Sequence, residues 1–509
     1  MAVSEQGFVV IGAQSVSFAI TNLRTMDIIE QGQYPVAIGE DIFAAHEIEP
    51  DTVDALVLAL QMIGQVLADY GVRETQVVGS HSFYEAKNAQ FVRDQILSRT
   101  GWTLQPLTLS QESFFRTQAV LAKFPHFEAV TQTGTLLIDI SSGTVELTAF
   151  NGGEFGFSRN LSIGPLRVFE VMSDLQRSVP NYVEVMRDYI DSMLVDFMRL
   201  LPRDVHYPNM VLMGSALSLF ETLIPTGERT VETDSEGLAM IYHEVTHASD
   251  QYLSDQYGLT PTQTAQVLPT VLLVYRLVKN LHSERLWISN LKLLDGLQVN
   301  WAVAAGSKAV TIDPTKEILI SARNLADRYQ VDVRHRESTV TFALQLFDRL
   351  HRLHGLGRRE RLLLEIAATV NDIGSYIDTH KHYEHSDYII QASELMGLTA
   401  AEQRMVATIA RYHSSDTPQT DLSDLHELNS KRRLVIAKLS ALLRVADSLD
   451  ASRQQKIAKI RVSVQPDKVL LTATASDDVE LERWTLRRKG QFFAAVFGLP
   501  IELKGRTRL

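Results

Sequence analysis

The sequence predicts an α/β protein made of two like halves, followed by a helix-rich region and a small α+β tail. Three observations carry this. Two strand-turn-strand patterns recur, FVVIGAQSVSFAITNL with MDIIEQGQ, and TLLIDISSGTVELTAF with EFGFSRN, each alternating as half-buried strands do. Each is followed by a run of 3.6-residue periodicity, DTVDALVLALQMIGQVLADYG at 51–71 and VEVMRDYIDSMLVDFMRLL at 183–201. Each run leads to a strand-like segment in the corresponding place, VVGSHS at 77–82 and MVLMGSA at 210–216. Two α/β halves facing a cleft satisfy this repetition.

Beyond GSKAVTIDPTKEIL at 306–319 the strand signals fade. HRESTVTFALQLFDRLHRL, RRERLLLEIAATVNDIG and SKRRLVIAKLSALLRVADSLDAS show helical spacing, and IAKIRVSVQPDKVLLTATA returns to strands. The expected divisions are a first α/β domain at 1–130, a second at 131–305, a helical domain at 306–458 and an α+β tail at 459–509.

The totals bound the function. The chain has 509 residues, is 45% hydrophobic and 22% charged, and contains no Cys, which excludes disulfides, thiol catalysis and thiolate metal sites. No uninterrupted apolar run is long enough to suggest a membrane span, and the N-terminus lacks the basic region of a signal peptide, so a cytoplasmic protein without a membrane partner is expected. The net charge of -12 argues against nucleic-acid binding. It is unevenly spread: residues 1–130 carry 7 Lys and Arg against 15 Asp and Glu, whereas 301–509 carry 31 against 26.

The segment Asp139-Ile140-Ser141-Ser142-Gly143-Thr144-Val145-Glu146 joins two strands through small residues, with an acid on each side. Small residues let a main chain approach a phosphate, and carboxylates hold a metal or orient water. This segment resembles the D-I-G-G-G-S-T-E loop of the exopolyphosphatase and guanosine-pentaphosphate phosphohydrolase family. Further segments follow in that family's order: GSHSFYEAKN (79–88), LTLSQESFFRTQAV (107–120) and LSIGPLRV (161–168). The resemblance covers nearly the whole chain.

The resemblance implies the duplicated fold of actin, sugar kinases and Hsp70, of ribonuclease H-like type, with an HD-like helical domain behind it. It implies hydrolysis of terminal phosphate from inorganic polyphosphate, or from guanosine pentaphosphate, by a homodimer. Glu112 would be the catalytic base and Gln111 would stand for its acidic neighbour. Asp139 and Glu146 would hold Mg2+, and Ser15, Ser17, Ser142, Gly143, Thr144 and Gly214 would grip phosphate. The other expectation is a catalytically weak or inactive member that binds polyphosphate or a guanine alarmone such as guanosine tetraphosphate, as a regulator.

Departures from the family pattern motivate that second reading. The first motif, D-x-G-S-N-S, stands here as Gly12-Ala13-Gln14-Ser15-Val16-Ser17, keeping both serines and losing Asp, Gly and Asn. Tyr84 replaces a phosphate-binding Arg, and the second-half turn survives as Gly214-Ser215-Ala216-Leu217-Ser218.

Two further patterns complete the reading. His335, Asn371-Asp372 and Asp447 follow the order H, HD, D of metal phosphohydrolases, but Asn371 replaces the central His and argues against two-metal catalysis. His380, His382, His385 and His413, with Lys381 and Arg411, are expected on a polar surface or a polyanion channel. His243-Glu244-Val245-Thr246-His247 matches H-E-x-x-H, with no third-ligand segment after it, and a zinc protease is not expected.

Overall fold

Apolar, β-branched residues of Glu5–Ile11 form strand β1, the centre of the first sheet. It pairs antiparallel with β2 (Ser15–Asn22), which pairs antiparallel with β3 (Ile28–Pro35). On its other side β1 runs parallel to β4 (Thr75–Gly79), and β4 to the two-residue β5 (Gln105–Pro106), giving the order β3-β2-β1-β4-β5. The computed structural model describes residues 5–507 apart from 177, 200–205, 224–229, 394 and 415–428. The chain forms two compact units, Met1–Pro314 and Thr315–Leu509.

The second half of the first unit repeats the plan. Its strands are β6 (Thr135–Ile140), β7 (Val145–Asn151), β8 (Glu154–Leu161), β9 (Asn209–Met213), β10 (Thr230–Thr233) and β11 (Arg285–Ser289), in the order β10-β11-β9-β6-β7-β8. From the hairpin side, β8-β7-β6-β9-β11 reproduces β3-β2-β1-β4-β5, with β10 added antiparallel at the edge. This is the duplicated α/β architecture that the sequence predicts. Every residue of β6 is buried, as expected for a strand covered on both faces, which is why TLLIDI reads as one apolar run.

The Pro50–Asp69 helix is long and apolar enough, by composition, to cross a bilayer. Here its Val53, Leu56, Leu60 and Ile63 face packs on Val9, Ile11, Phe18 and Ile20 of the first sheet. The opposite face of that sheet, Phe8, Val10 and Val78, is covered by Leu293, Leu297 and Ala302 of the Leu293–Ala304 helix, far along the chain. That helix packs against Leu109–Lys123, and a Cβ on Gly296 would lie 1.8 Å from the Phe115 carbonyl oxygen. Lys123 pins the pair through Asp295 at 2.5 Å. The two helices thereby fix where Glu112 and Arg116 sit.

In the second unit, helices including Val333–Arg349, Arg358–Val370, His382–Ala392, Ala400–Arg411 and Ser430–Ser448 precede a sheet of β12 (Ile457–Val464), β13 (Val469–Ala475) and β14 (Ile501–Thr507). The Glu480–Phe497 helix lies between β13 and β14 in the chain. Arg444 is fully buried, donates to the Tyr412 carbonyl at 2.5 Å and lies over the Phe492 ring.

Candidate active site

The loops after β1 and β6 make the two walls of a cleft of about 750 Å³ in the first unit. In the first loop the Gly12 N–H donates to the Ser15 carbonyl at 2.9 Å, closing a tight turn into β2. Ser15 and Ser17 then line the cleft, while Val16 between them is wholly buried in the core. Strand alternation explains the departure: position 16 faces away from the cleft, so an apolar side chain there removes no phosphate contact. Gly12 is the real loss on this wall, since it supplies no carboxylate.

In the second loop the Ser141 N–H donates to the Thr144 carbonyl at 2.9 Å, and Ser142, Gly143 and Thr144 line the cleft. Two glycines permit this turn. A Cβ on Gly164 would lie 2.3 Å from the Ser142 carbonyl oxygen, and Gly214, with φ of 116°, would place one 2.4 Å from Asp139 Oδ1. Gly214 also lines the cleft; the side chains of Ser215 and Ser218 lie outside the described residues.

Glu112 stands in the first turn of Leu109–Lys123, on the floor of the same cleft, and is 5% exposed. Its Oε1 accepts the His81 N–H at 2.5 Å. Burial pushes its pKa above the ordinary carboxylate value, against the opposing pull of Arg116 and the His81 N–H. Gln111 beside it serves the helix end, completing a capping box in which its Oε1 accepts the Thr108 N–H at 3.1 Å and Thr108 Oγ1 accepts the Gln111 N–H at 3.2 Å.

Arg116 is the residue that sequence reasoning missed. One turn beyond Glu112, its guanidinium lies 3.2 Å from Glu112 Oε2 and 2.5 Å from Asp139 Oδ2, and it lines the cleft. Burial works against its charge, but Asp139 and Glu112 overcome it and raise the pKa further, so the cation is permanent. Burial likewise lifts the Asp139 carboxyl, with Arg116 and Ser141 opposing.

Asp139 and Glu146 face each other across β6 and β7, as the two-acid pattern requires. Neither lines the cleft, and Arg116, which does, is bonded to Asp139. Asp139 Oδ1 accepts the Ser141 hydroxyl at 3.3 Å, and Glu146 Oε1 accepts the Ser158 hydroxyl at 2.5 Å. Mg2+ requires several oxygens converging on a site that a hard ion can reach. In this arrangement the residues do not fit it: Asp139 is already paired with Arg116, Glu146 holds Ser158, and among the described residues no metal-spaced cluster forms here.

Tyr84, where the family has Arg, does not line the cleft. Its ring packs edge-on to Phe83 and beneath the Arg93 guanidinium, 5.9 Å from the centroid, and burial pushes its hydroxyl pKa up to about 12. Asn88 is a clamp, exchanging hydrogen bonds of 2.9 and 2.8 Å with the Ile48 main chain.

The lining carries Glu40, Glu85 and Glu112 against Arg116 and Lys292, so side-chain charge alone does not make it an anion site. The N-terminal turns of helices beginning at Ile38, Leu109, Pro165, Pro261 and Leu293 reach the lining, and such turns carry N–H groups that favour an anion. Gln14 on the first wall donates to Gln266 on the Pro261–Leu281 helix at 3.2 Å, bridging the two halves at the cleft.

The H-E-x-x-H segment lies on the Ser235–His247 helix with its imidazoles stacked, centroids 4.2 Å apart, while Glu244 accepts the Tyr257 hydroxyl at 2.8 Å. In the second unit the histidines divide. His380 and Lys381 are exposed, Arg411 pairs with Asp387, and His382 and His413 converge on Asp372.

A model of the Ppx/GppA phosphatase family matches residues 16–304, and a model of Ppx/GppA phosphatase domain III matches 319–491. Among solved structures, an exopolyphosphatase from Cytophaga hutchinsonii is 14% identical over 60% of this chain and all of its own length, with a TM-score of 0.51. The Aquifex aeolicus Ppx/GppA family member is 13% identical over 60% of this chain and 99% of its own, with a TM-score of 0.50. An exopolyphosphatase-like protein is 12% identical with the same coverage and a TM-score of 0.52. At these identities the likeness shows a shared fold.

Proposed function

Because the chain belongs to the Ppx/GppA phosphatase family, we propose that it releases terminal phosphate from inorganic polyphosphate, with Glu112 as the base. The observation that carries this reading is Glu112 itself: a buried carboxylate with a raised pKa, lining the same cleft as the small-residue turn Ser142–Thr144. Guanosine pentaphosphate, which ends in the same phosphoanhydride group, is the second substrate of this reading.

In the proposed step a water oxygen forms a bond to the terminal phosphorus, and its proton passes to Glu112. The P–O anhydride bond breaks, and its electron pair leaves with the shortened chain. The turn at 142–144 and the helix first turns stabilise charge on the equatorial oxygens. Arg116 holds Glu112 in place, and no step uses a metal.

A second reading, binding of polyphosphate or an alarmone without turnover, is favoured by one observation. Arg116 pairs with both Glu112 and Asp139, so each acid already has a partner within the protein before any substrate enters. Phosphate release from long-chain polyphosphate by wild type and Glu112→Ala separates the two. Release that disappears in the mutant supports hydrolysis; tight binding with no release from wild type supports the regulator.

A further inference from the structure

The second unit contains a cluster that the phosphatase reading leaves unused. Asp372 ends the turn after Arg358–Val370, His382 opens His382–Ala392, and His413 follows Ala400–Arg411. His382 Nε2 lies 3.1 Å from His413 Nε2, and Asp372 Oδ1 lies 3.7 and 3.4 Å from these two nitrogens.

The tautomers follow from the other ring nitrogens. His413 Nδ1 is 2.5 Å from the Ala410 carbonyl, and His382 Nδ1 is 3.4 Å from that of Thr379. A carbonyl only accepts, so each Nδ1 carries a hydrogen, and a ring in the form that binds a metal turns its Nε2 lone pair toward the other. Two lone pairs and a carboxylate oxygen facing one another repel unless a cation lies among them. Backbone carbonyls holding the far nitrogen are also how metal-ligating histidines are oriented.

The spacing fits an ion. A triangle with sides of 3.1, 3.4 and 3.7 Å has a circumscribed radius of about 2.0 Å, the length of a bond from a first-row metal to imidazole nitrogen or carboxylate oxygen. Asp372 Oδ1 also accepts from the Asn371 amide at 3.3 Å, which leaves it a second lone pair, while Oδ2 is taken by Arg453 at 2.6 Å. Asp372 and His413 are buried and His382 is partly exposed, so a path to solvent opens on one side.

The neighbouring acids explain why one ion and not two. His335 Nδ1 is held by Asp450 at 2.9 Å and its Nε2 by Asp447 at 3.3 Å, and the Lys489 ammonium pairs with Asp447. These contacts take up both His335 nitrogens, and His335 Nε2 also lies 3.7 Å from Asp372 Oδ2, the oxygen facing away from the proposed site, while Asn371 supplies no ring nitrogen. We propose that Asp372, His382 and His413 bind a single divalent first-row transition metal, such as Zn2+ or Co2+, with at least one coordination position open to solvent.

The test uses the full chain, stripped with a chelator, dialysed and titrated with Co2+ and Zn2+. About one metal per chain is expected, with visible ligand-field bands for Co2+ and a higher melting temperature with Zn2+. His382→Gln, at the partly exposed ligand, is expected to weaken binding at least about tenfold while the stripped protein melts as wild type does. His385→Gln, on the same helix outside the cluster, is expected to bind normally. Fewer than about one metal in ten chains, or equal binding by wild type and His382→Gln, overturns the proposal and leaves a proton shared by the two rings.

Discussion

The guanidinium of Arg116 lies 2.5 Å from the carboxylate of Asp139, a contact between the helix that carries the candidate base and the strand that carries the phosphate turn. Both groups are almost out of water, so removing one strands the other. Arg116→Met is expected to cost about 3–5 kcal/mol of stability, the usual consequence of leaving a buried charge without its partner. Denaturant unfolding measures it; a loss under about 1 kcal/mol would show that the pair is better solvated than its burial indicates.

Glu112→Gln keeps an oxygen for the His81 N–H and removes the basic group. Phosphate release is expected to fall by about a hundredfold or more, with polyphosphate binding retained. Loss of binding in equal measure would instead make Glu112 a contact residue.

The raised pKa of Glu112 sets the acid side of the rate profile. Only the ionised carboxylate accepts a proton, so the rate falls as pH drops through a pKa above the ordinary value of about 4.3. Without the cation the protonated form gains further, so the half-maximal pH is expected to rise again in Arg116→Met. For stability the sign is opposite. Glu112 and Asp139 both have raised folded pKa values, so their contribution is complete below the unfolded values and lost as pH rises through the folded ones. A rate profile that does not move in Arg116→Met would remove Glu112 from the base role.

Tyr84→Arg would restore the family's residue type but not its place. The Tyr84 ring packs on Phe83 under Arg93, so a second guanidinium there meets a like charge and loses the ring contact. A lower melting temperature is expected, with no gain in phosphate release.

Gly296→Ala tests the helix pair that positions the cleft floor. Its Cβ would meet the Phe115 carbonyl, which is backbone and cannot rotate aside. Displacement of Leu109–Lys123 is expected, costing about 2–4 kcal/mol and reducing release with it.

Much of this was legible in the sequence. The two hairpins, their helices and the strands after them announce the repeat, because alternation and 3.6-residue spacing are local. The pairing of Asp139 with Glu146 is local too, since a short turn fixes the register. Arg116 was harder. Its spacing of four from Glu112 was visible, but its partner Asp139 lies on another element and arrives only on folding. Gln111 carried a readable signal, T-x-x-Q at a helix start, which the family pattern concealed. His382 and His413 lie 31 residues apart on different helices, and neither spacing nor composition brings them together.

One small element, β5, has a consequence for how copies of this chain can meet. It is two residues long and ends in Pro106, which has no N–H to offer a further strand. At the matching edge of the second sheet stands β10, four residues long, with Glu232 held by Arg285 at 2.9 Å. Short strands with proline or charge make poor templates for a neighbour's backbone. Among the described strands, self-association through a continuous sheet in the first unit is therefore favoured at β3 or β8, at the hairpin sides, which makes those two strands the places to look for misassembly when this chain is made at high concentration.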